Sequence, residues 1–162
     1  MTASNIDIRM ATVADVPLIL KFIEDLATYE KLRDRCVATE DNLRSTLFGD
    51  RPAAEVLIAS ADGKPAGFAL FFHNYSTFRA QRDIYLEDLF VNPESRGYGV
   101  GHALFVRLAR LAIERGCGRI EWVVLDWNAL AIDFYKRLGA HSMDDWRIFR
   151  LTGTSLESLA TA

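Results

Sequence analysis

Apolar and polar residues change period along this chain in an order that predicts alternating strands and helices. Ile6, Ile8 and Met10 alternate with Asp7 and Arg9, the two-residue period of a half-buried strand. Thr12 follows as an N-cap with Asp15 behind it. Val16, Ile19, Leu20, Ile23, Leu26 and Ala27 then recur at helical spacing, which predicts a helix to about Tyr29. A polar stretch from Glu30 to Arg35 leads to a second cap, Thr39, and a short helix with Leu43, Leu47 and Phe48 that stops at Gly49. Glu55 to Ala61 and Gly67 to Tyr75 read as strands joined by the turn chemistry of Asp62-Gly63-Lys64-Pro65. After a polar run from Ser76 to Asp83, a third consecutive strand is predicted over Ile84 to Val91.

A long helix is predicted from Val100 to Arg115, with Leu104, Phe105, Leu108, Leu111 and Ala112 on its apolar face and Gly116 as its stop. Arg119 to Leu125 reads as a strand reached by this helical crossover, hence parallel to the strand ending at Val91. A helix capped by Asn128 over Ala129 to Leu138, a strand over Trp146 to Leu151 and a short helix near Ser155 complete the chain. The order is β-α-α-β-β-β-α-β-α-β. It predicts a mixed α/β, α+β-like fold: a central, mostly antiparallel mixed sheet with helices on both faces. One domain is expected over residues 1–162, because no linker, repeat or low-complexity segment interrupts the pattern.

Composition narrows the function classes. Half of the 162 residues are hydrophobic, enough for a substantial core, and the net charge of −3 offers no basic field for nucleic acid. Cys36 and Cys117 are too few for a disulfide framework or a metal site and are expected as buried thiols. His73, His102 and His141 lack metal spacing, so no metal is expected. No apolar run is long enough to span a bilayer and the N-terminal residues are polar, so the expectation is a soluble cytoplasmic protein without membrane contact.

The candidate chemistry lies between Ile84 and His102. A β-rich segment carries Glu87 and Asp88, turns at Asn92-Pro93, and enters a loop with Gly97, Gly99 and Gly101 that opens the long helix. Glycines at alternate positions let backbone approach a ligand closely, and the N–H groups of a helix start suit phosphate oxygens. A P-loop would need Gly-Lys-Ser/Thr where Gly101-His102-Ala103 stands. A Rossmann fingerprint would need a different glycine spacing and an apolar strand, although Glu121 lies at a suitable distance for a ribose contact.

Arg96-Gly97-Tyr98-Gly99-Val100-Gly101 resembles the Arg/Gln-x-x-Gly-x-Gly/Ala loop of the GNAT-type N-acetyltransferases. Four further segments resemble the spermidine/spermine and thialysine N-acetyltransferase group: Leu26-Ala27-Thr28-Tyr29-Glu30, Tyr85-Leu86-Glu87-Asp88-Leu89-Phe90-Val91, Leu125-Asp126-Trp127-Asn128 and Phe134-Tyr135-Lys136-Arg137-Leu138-Gly139-Ala140. The resemblance implies a splayed parallel strand pair, acetyl-CoA as cosubstrate and a homodimer. It places the pyrophosphate on amides from Gly97 to His102, with Arg96, Tyr98 and Val100 in the same loop, and the pantetheine arm along Leu89, Phe90 and Val91. Asn128 and Ala131 would touch the arm from the following helix.

By the same resemblance Glu87 accepts the amine proton through water, Tyr135 protonates the departing sulfur, and Tyr29, Glu30, Glu87 and Asp88 receive the acceptor. In a regular strand Glu87 and Asp88 point to opposite faces. Ser76-Thr77-Phe78 stands where polyamine enzymes carry an acidic residue and tryptophan, which points to a shorter amine such as a diamine or lysine analogue. A peptide or protein acetyltransferase and a non-catalytic acyl-CoA sensor are the competing classes.

Overall fold

The structure is a computed structural model that describes residues 5–162. It divides into two compact units, the first ending at Val123 and the second comprising Val124–Ala162. In the first unit, β1 (Ile6–Met10), β2 (Glu55–Ala61), β3 (Lys64–Ser76), β4 (Gln81–Val91) and β5 (Ile120–Glu121) form one sheet in chain order. All neighbours are antiparallel except β4 and β5. Asp62 and Gly63 both take positive φ, 49° and 77°, as a tight two-residue turn between β2 and β3 requires.

The helices of this unit are α1 (Val16–Tyr29), α2 (Glu40–Phe48) and α3 (Val100–Glu114). Val56 and Ile58 of β2, Phe68 of β3 and Phe90 of β4 meet Val16, Ile19 and Phe22 of α1 and Leu43 and Leu47 of α2 in one core. The Phe22 and Phe68 rings stack at 5.5 Å. The alternate residues Leu57, Ala59, Ala69 and Phe71 are equally buried on the other face, where α3 packs across β1 to β4. Both faces of the sheet are therefore covered, which is why β2 and β3 read as near-continuous apolar runs.

Helix α1 departs from expectation at its start. Val13–Asp15 form a tighter 3-10 turn, and the Asp15 carboxylate takes the Thr12 N–H at 2.7 Å together with the Arg9 guanidinium. The Arg9 hydrogen bond, more than any other influence, holds that carboxyl down at about 2. β3 and β4 run longer than predicted, so their connection shrinks to the residues around Ala80, itself at φ 49°. Cys36 and Cys117 are free thiols, half-buried where full burial was expected.

Two predicted strands are corrected. Of Arg119 to Leu125 only Ile120–Glu121 pairs, and Trp146 to Leu151 forms no strand. The first stops for a local reason in β4, described below. The second has residues that suit a strand, but strand structure exists through a ladder partner, and Trp146, Ile148 and Phe149 stand exposed. The second unit instead contains α4 (Ala129–Arg137) and α5 (Gly153–Ala160).

Candidate active site

The reaction edge is built by an irregularity in β4. Leu70 pairs with Asp88 while Phe71 pairs with Leu86, so Glu87 is an extra residue opposite β3. Such a bulge bends its strand and shifts the pleat by one residue. Two backbone contacts show the shift. Before the bulge, the N–H of Ile84 points to the β5 side, donating to Arg119 O at 3.1 Å. Beyond it, the N–H of Asn92 points to the β3 side, donating to Ala66 O at 2.8 Å. The two-residue alternation of an antiparallel ladder then directs the N–H groups of Leu89 and Val91 away from β3, to the β5 side. The parallel pairing with β5 covers Ile84↔Ile120 and Tyr85↔Glu121, and β4 continues past it from Leu86 to Val91. A bend directly after the last pair explains why β5 is shorter than predicted.

The bulge also overturns the expectation that Glu87 and Asp88 serve opposite faces. Asp88 lies opposite Leu70, a residue packed against the α1 core, so its side chain shares the α1 side of the sheet. There burial, then the charges of Glu87 and Glu30, push the Asp88 carboxyl up to about 7. Burial raises Glu30 as well, at the C-terminal cap of α1. Glu87 is exposed, and its charge also raises the Tyr85 phenol, behind the larger effect of burial. Three carboxylates, Glu30, Glu87 and Asp88, thus converge beside the outward edge of β4.

Arg96 joins this cluster to the glycine loop. Its Nε donates to Val91 O at 3.0 Å, and its guanidinium lies 4.8 Å from the centre of the Tyr29 ring and 5.8 Å from that of Phe90. A cation on the Tyr29 face was expected from the acceptor; Arg96 already supplies one. Past Arg96, Gly97 and Gly99 take φ of 82° and 91°, and Gly99 caps α3. Ala103 N bonds Gly99 O at 2.9 Å as the first helical bond, so the amides of Val100, Gly101 and His102 point out of the first turn. Tyr98 is exposed on the loop.

The remaining predicted residues belong to the second unit. The Asn128 side chain accepts from Ala131 N at 3.3 Å, which is the capping role. Tyr135 sits late in α4, half-buried, with the Phe134 ring 5.5 Å from its own.

Residues 22–140 match the model of the acetyltransferase (GNAT) family. The chain belongs to the GNAT acetyltransferases. It is 40% identical to thialysine N-epsilon-acetyltransferase of Bos taurus, over 94% of this chain and 96% of the relative. It is 36% identical to L-ornithine N5-acetyltransferase of Arabidopsis thaliana, over 94% of this chain and 86% of that one. An integron cassette protein from the mobile metagenome of V. cholerae superposes with a TM-score of 0.80 at 28% identity, covering 97% of this chain and 98% of the other.

As a GNAT enzyme the protein is an N-acetyltransferase, and the family's cosubstrate is acetyl-CoA. The loop fits a pyrophosphate: a Cβ built on Gly97 meets nothing within 4 Å, so the space over this backbone is open to a ligand. In this GNAT enzyme Gly99→Ala would bring its Cβ only to ordinary contact, 3.7 Å from Ile6 Cδ1, so its cost is the left-handed φ. Stability should fall by about 1–2 kcal/mol, and CoA affinity by roughly ten-fold as the amides shift. Urea unfolding and calorimetry measure the two; unchanged affinity would dissociate the loop geometry from cofactor binding.

The bulge and the Arg96–Tyr29 contact were missed in the sequence. Two adjacent carboxylates inside an otherwise apolar strand were a readable sign of broken alternation. The ring contact had none, since Tyr29 and Arg96 are far apart along the chain.

Proposed function

We propose that this enzyme transfers acetyl from acetyl-CoA directly, in a ternary complex, to a terminal primary amine of a small cationic acceptor: a diamine, a polyamine or a lysine analogue such as thialysine. The observation that carries this reading is the convergence of Glu30, Glu87 and Asp88 at the edge of β4. Burial and the neighbouring charges of Glu87 and Glu30 that push Asp88 up are relieved by a cation, and an alkylammonium supplies one. The relatives named for thialysine and ornithine support an acceptor of this size.

When bound, acetyl-CoA supplies the activated acyl group. An alkyl amine with a pKa of about 10.4 must lose a proton before attack. Glu87 takes that proton through water, and Asp88 and Glu30 hold the ammonium, with Tyr29 beside them. The outward N–H of Leu89 donates to the carbonyl oxygen as negative charge develops there. Phe90 and Val91 continue the edge for the amide-bearing arm, and the amides from Gly97 to His102 hold the phosphates; Asn128 and Ala131 are assigned to the arm by the family resemblance alone. Tyr135 gives its phenolic proton to the departing sulfur, leaving free CoA and the acetylated amine. A second reading has a specific observation behind it: Asp88, raised to about 7, is tuned to accept a proton near neutrality.

One catalytic domain over the whole chain is part of the proposal, supported by a family match that runs across the boundary between the units. So are a homodimer, for which the exposed Trp146, Ile148 and Phe149 offer surface to cover, and a cytoplasmic setting, consistent with two free thiols. The deciding experiment follows CoA release with diamines, polyamines, thialysine, ornithine and lysine-containing peptides. Turnover confined to small amines is expected; turnover on peptides alone, or CoA binding without turnover, would reject the proposal.

A further inference from the structure

At the end of β4 opposite the glycine loop stands a fully buried carboxylate that the chemistry above does not use. Asp83 is 0% exposed. Its Oδ1 accepts from the backbone N–H of Gly118 at 2.9 Å and of Arg119 at 3.1 Å, the two residues that lead into β5. Oδ2 faces Arg119 Nε at 2.8 Å in an ion pair set off the hydrogen-bonding direction, and Arg79 Nη1 stands 3.7 Å from Oδ1. A charge taken wholly out of water persists only where partners replace its hydration, and here they all come from the α3–β5 link or from the β3–β4 turn.

Two neighbours tighten the same link. Gln81 donates from Nε2 to Gly116 O. The Arg79 guanidinium lies so close over Gly118 that a Cβ there would fall 1.3 Å from Nη2. The next residues are those of the parallel pair, Ile84↔Ile120 and Tyr85↔Glu121, before β4 bends away at Glu87. The pairing is too short to fix the strands by its own ladder. A bolt immediately before it sets both where β5 begins and how α3, which carries the phosphate loop at its other end, returns to the sheet.

We infer that Asp83 is a positioning residue for the cofactor: by clamping the Gly118 and Arg119 amides to the start of β4, it fixes the opening between β4 and β5 and the seat of α3. The inference rests on the proposed seating of CoA along Leu89 to Val91. Asp83 touches no reacting group, so its removal should weaken cofactor binding and spare acceptor binding.

The test compares wild type, Asp83→Asn, Asp83→Ala and the more solvent-exposed partner change Arg119→Gln. It reads CoA Kd by calorimetry, KM for the amine, kcat, and amide exchange at Gly118 and Arg119. Asp83→Ala is expected to raise the CoA Kd by about ten-fold or more, with amine KM within two-fold and faster exchange at both amides. Asp83→Asn, which keeps an oxygen for the two N–H groups, should recover part of that affinity. Should Asp83→Ala fail to fold, Arg119→Gln provides the same comparison with a smaller shift. Faster exchange with unchanged CoA Kd would overturn the inference, as would parallel loss of cofactor and amine binding. Wild type that binds CoA without acetylating any amine would reject the proposed function and leave this measurement intact. Wild type that fails to bind CoA would reject both.

Discussion

Tyr135→Phe is expected to lower kcat by about 10²–10⁴-fold while leaving the CoA dissociation constant within two-fold. The range is that of a general acid removed from a step that needs one. A thiolate leaving without a proton is a poor partner to an amide-forming step, and a tyrosine phenol, whose ordinary pKa is about 10, is acidic enough to donate to it. Phenylalanine keeps the ring, so the contact with Phe134 in α4 survives. Stopped-flow acetyl transfer combined with calorimetry checks this. An unchanged kcat would remove Tyr135 from the acid role, whereas loss of CoA affinity with kcat retained would make it a binding residue.

The second large effect lies in the carboxylate pair of β4. Glu87→Gln should lower the plateau of kcat/KM by about 10²–10⁴-fold if Glu87 receives the amine proton. The competing outcome is distinct. Glu87 raises Asp88 by its charge, so neutralising it lets Asp88 ionise at lower pH. Were Asp88 the base, Glu87→Gln would move the acidic limb of the profile downward and keep the plateau. Asp88→Asn adds a stability readout whose sign follows from linkage. A carboxyl raised in the folded state holds its proton there longer than in the unfolded chain, so wild-type stability falls as pH rises from about 4 to about 7 and is flat above. The variant should therefore gain stability near pH 8, on the order of 2 kcal/mol after allowance for solvent screening, and nothing near pH 4. Equal gains at both pH values would mean that packing, not ionisation, governs Asp88.

Both effects depend on features legible to different degrees before the fold was known. The adjacent Glu87 and Asp88 in an apolar strand, the glycine loop and the placement of Tyr135 late in a capped helix could all be read along the chain, because each depends on neighbours within a few residues. What could not be read is how the two carboxylates divide the work. That depends on one extra residue in the pairing of β4 with β3, which no periodicity in β4 alone specifies. The failed strand over Trp146 to Leu151 is the converse case: its residues suit a strand, and no ladder partner made it one.

By itself the sequence determined the order of elements as far as the helix capped by Asn128, the two-sided burial of the sheet, the glycine loop ahead of α3 and the membership of the chain in an acetyltransferase family. These are local periodicities and short motifs, and local sequence suffices for them. Only the tertiary structure decided that an extra residue at Glu87 shifts the pairing of β4 with β3, that Arg96 rests on Tyr29, and that Asp83 bolts the link into β5. Each of these brings together residues distant along the chain, and burial then sets the strength of their charges, a property that belongs to the packed molecule and to no segment of it.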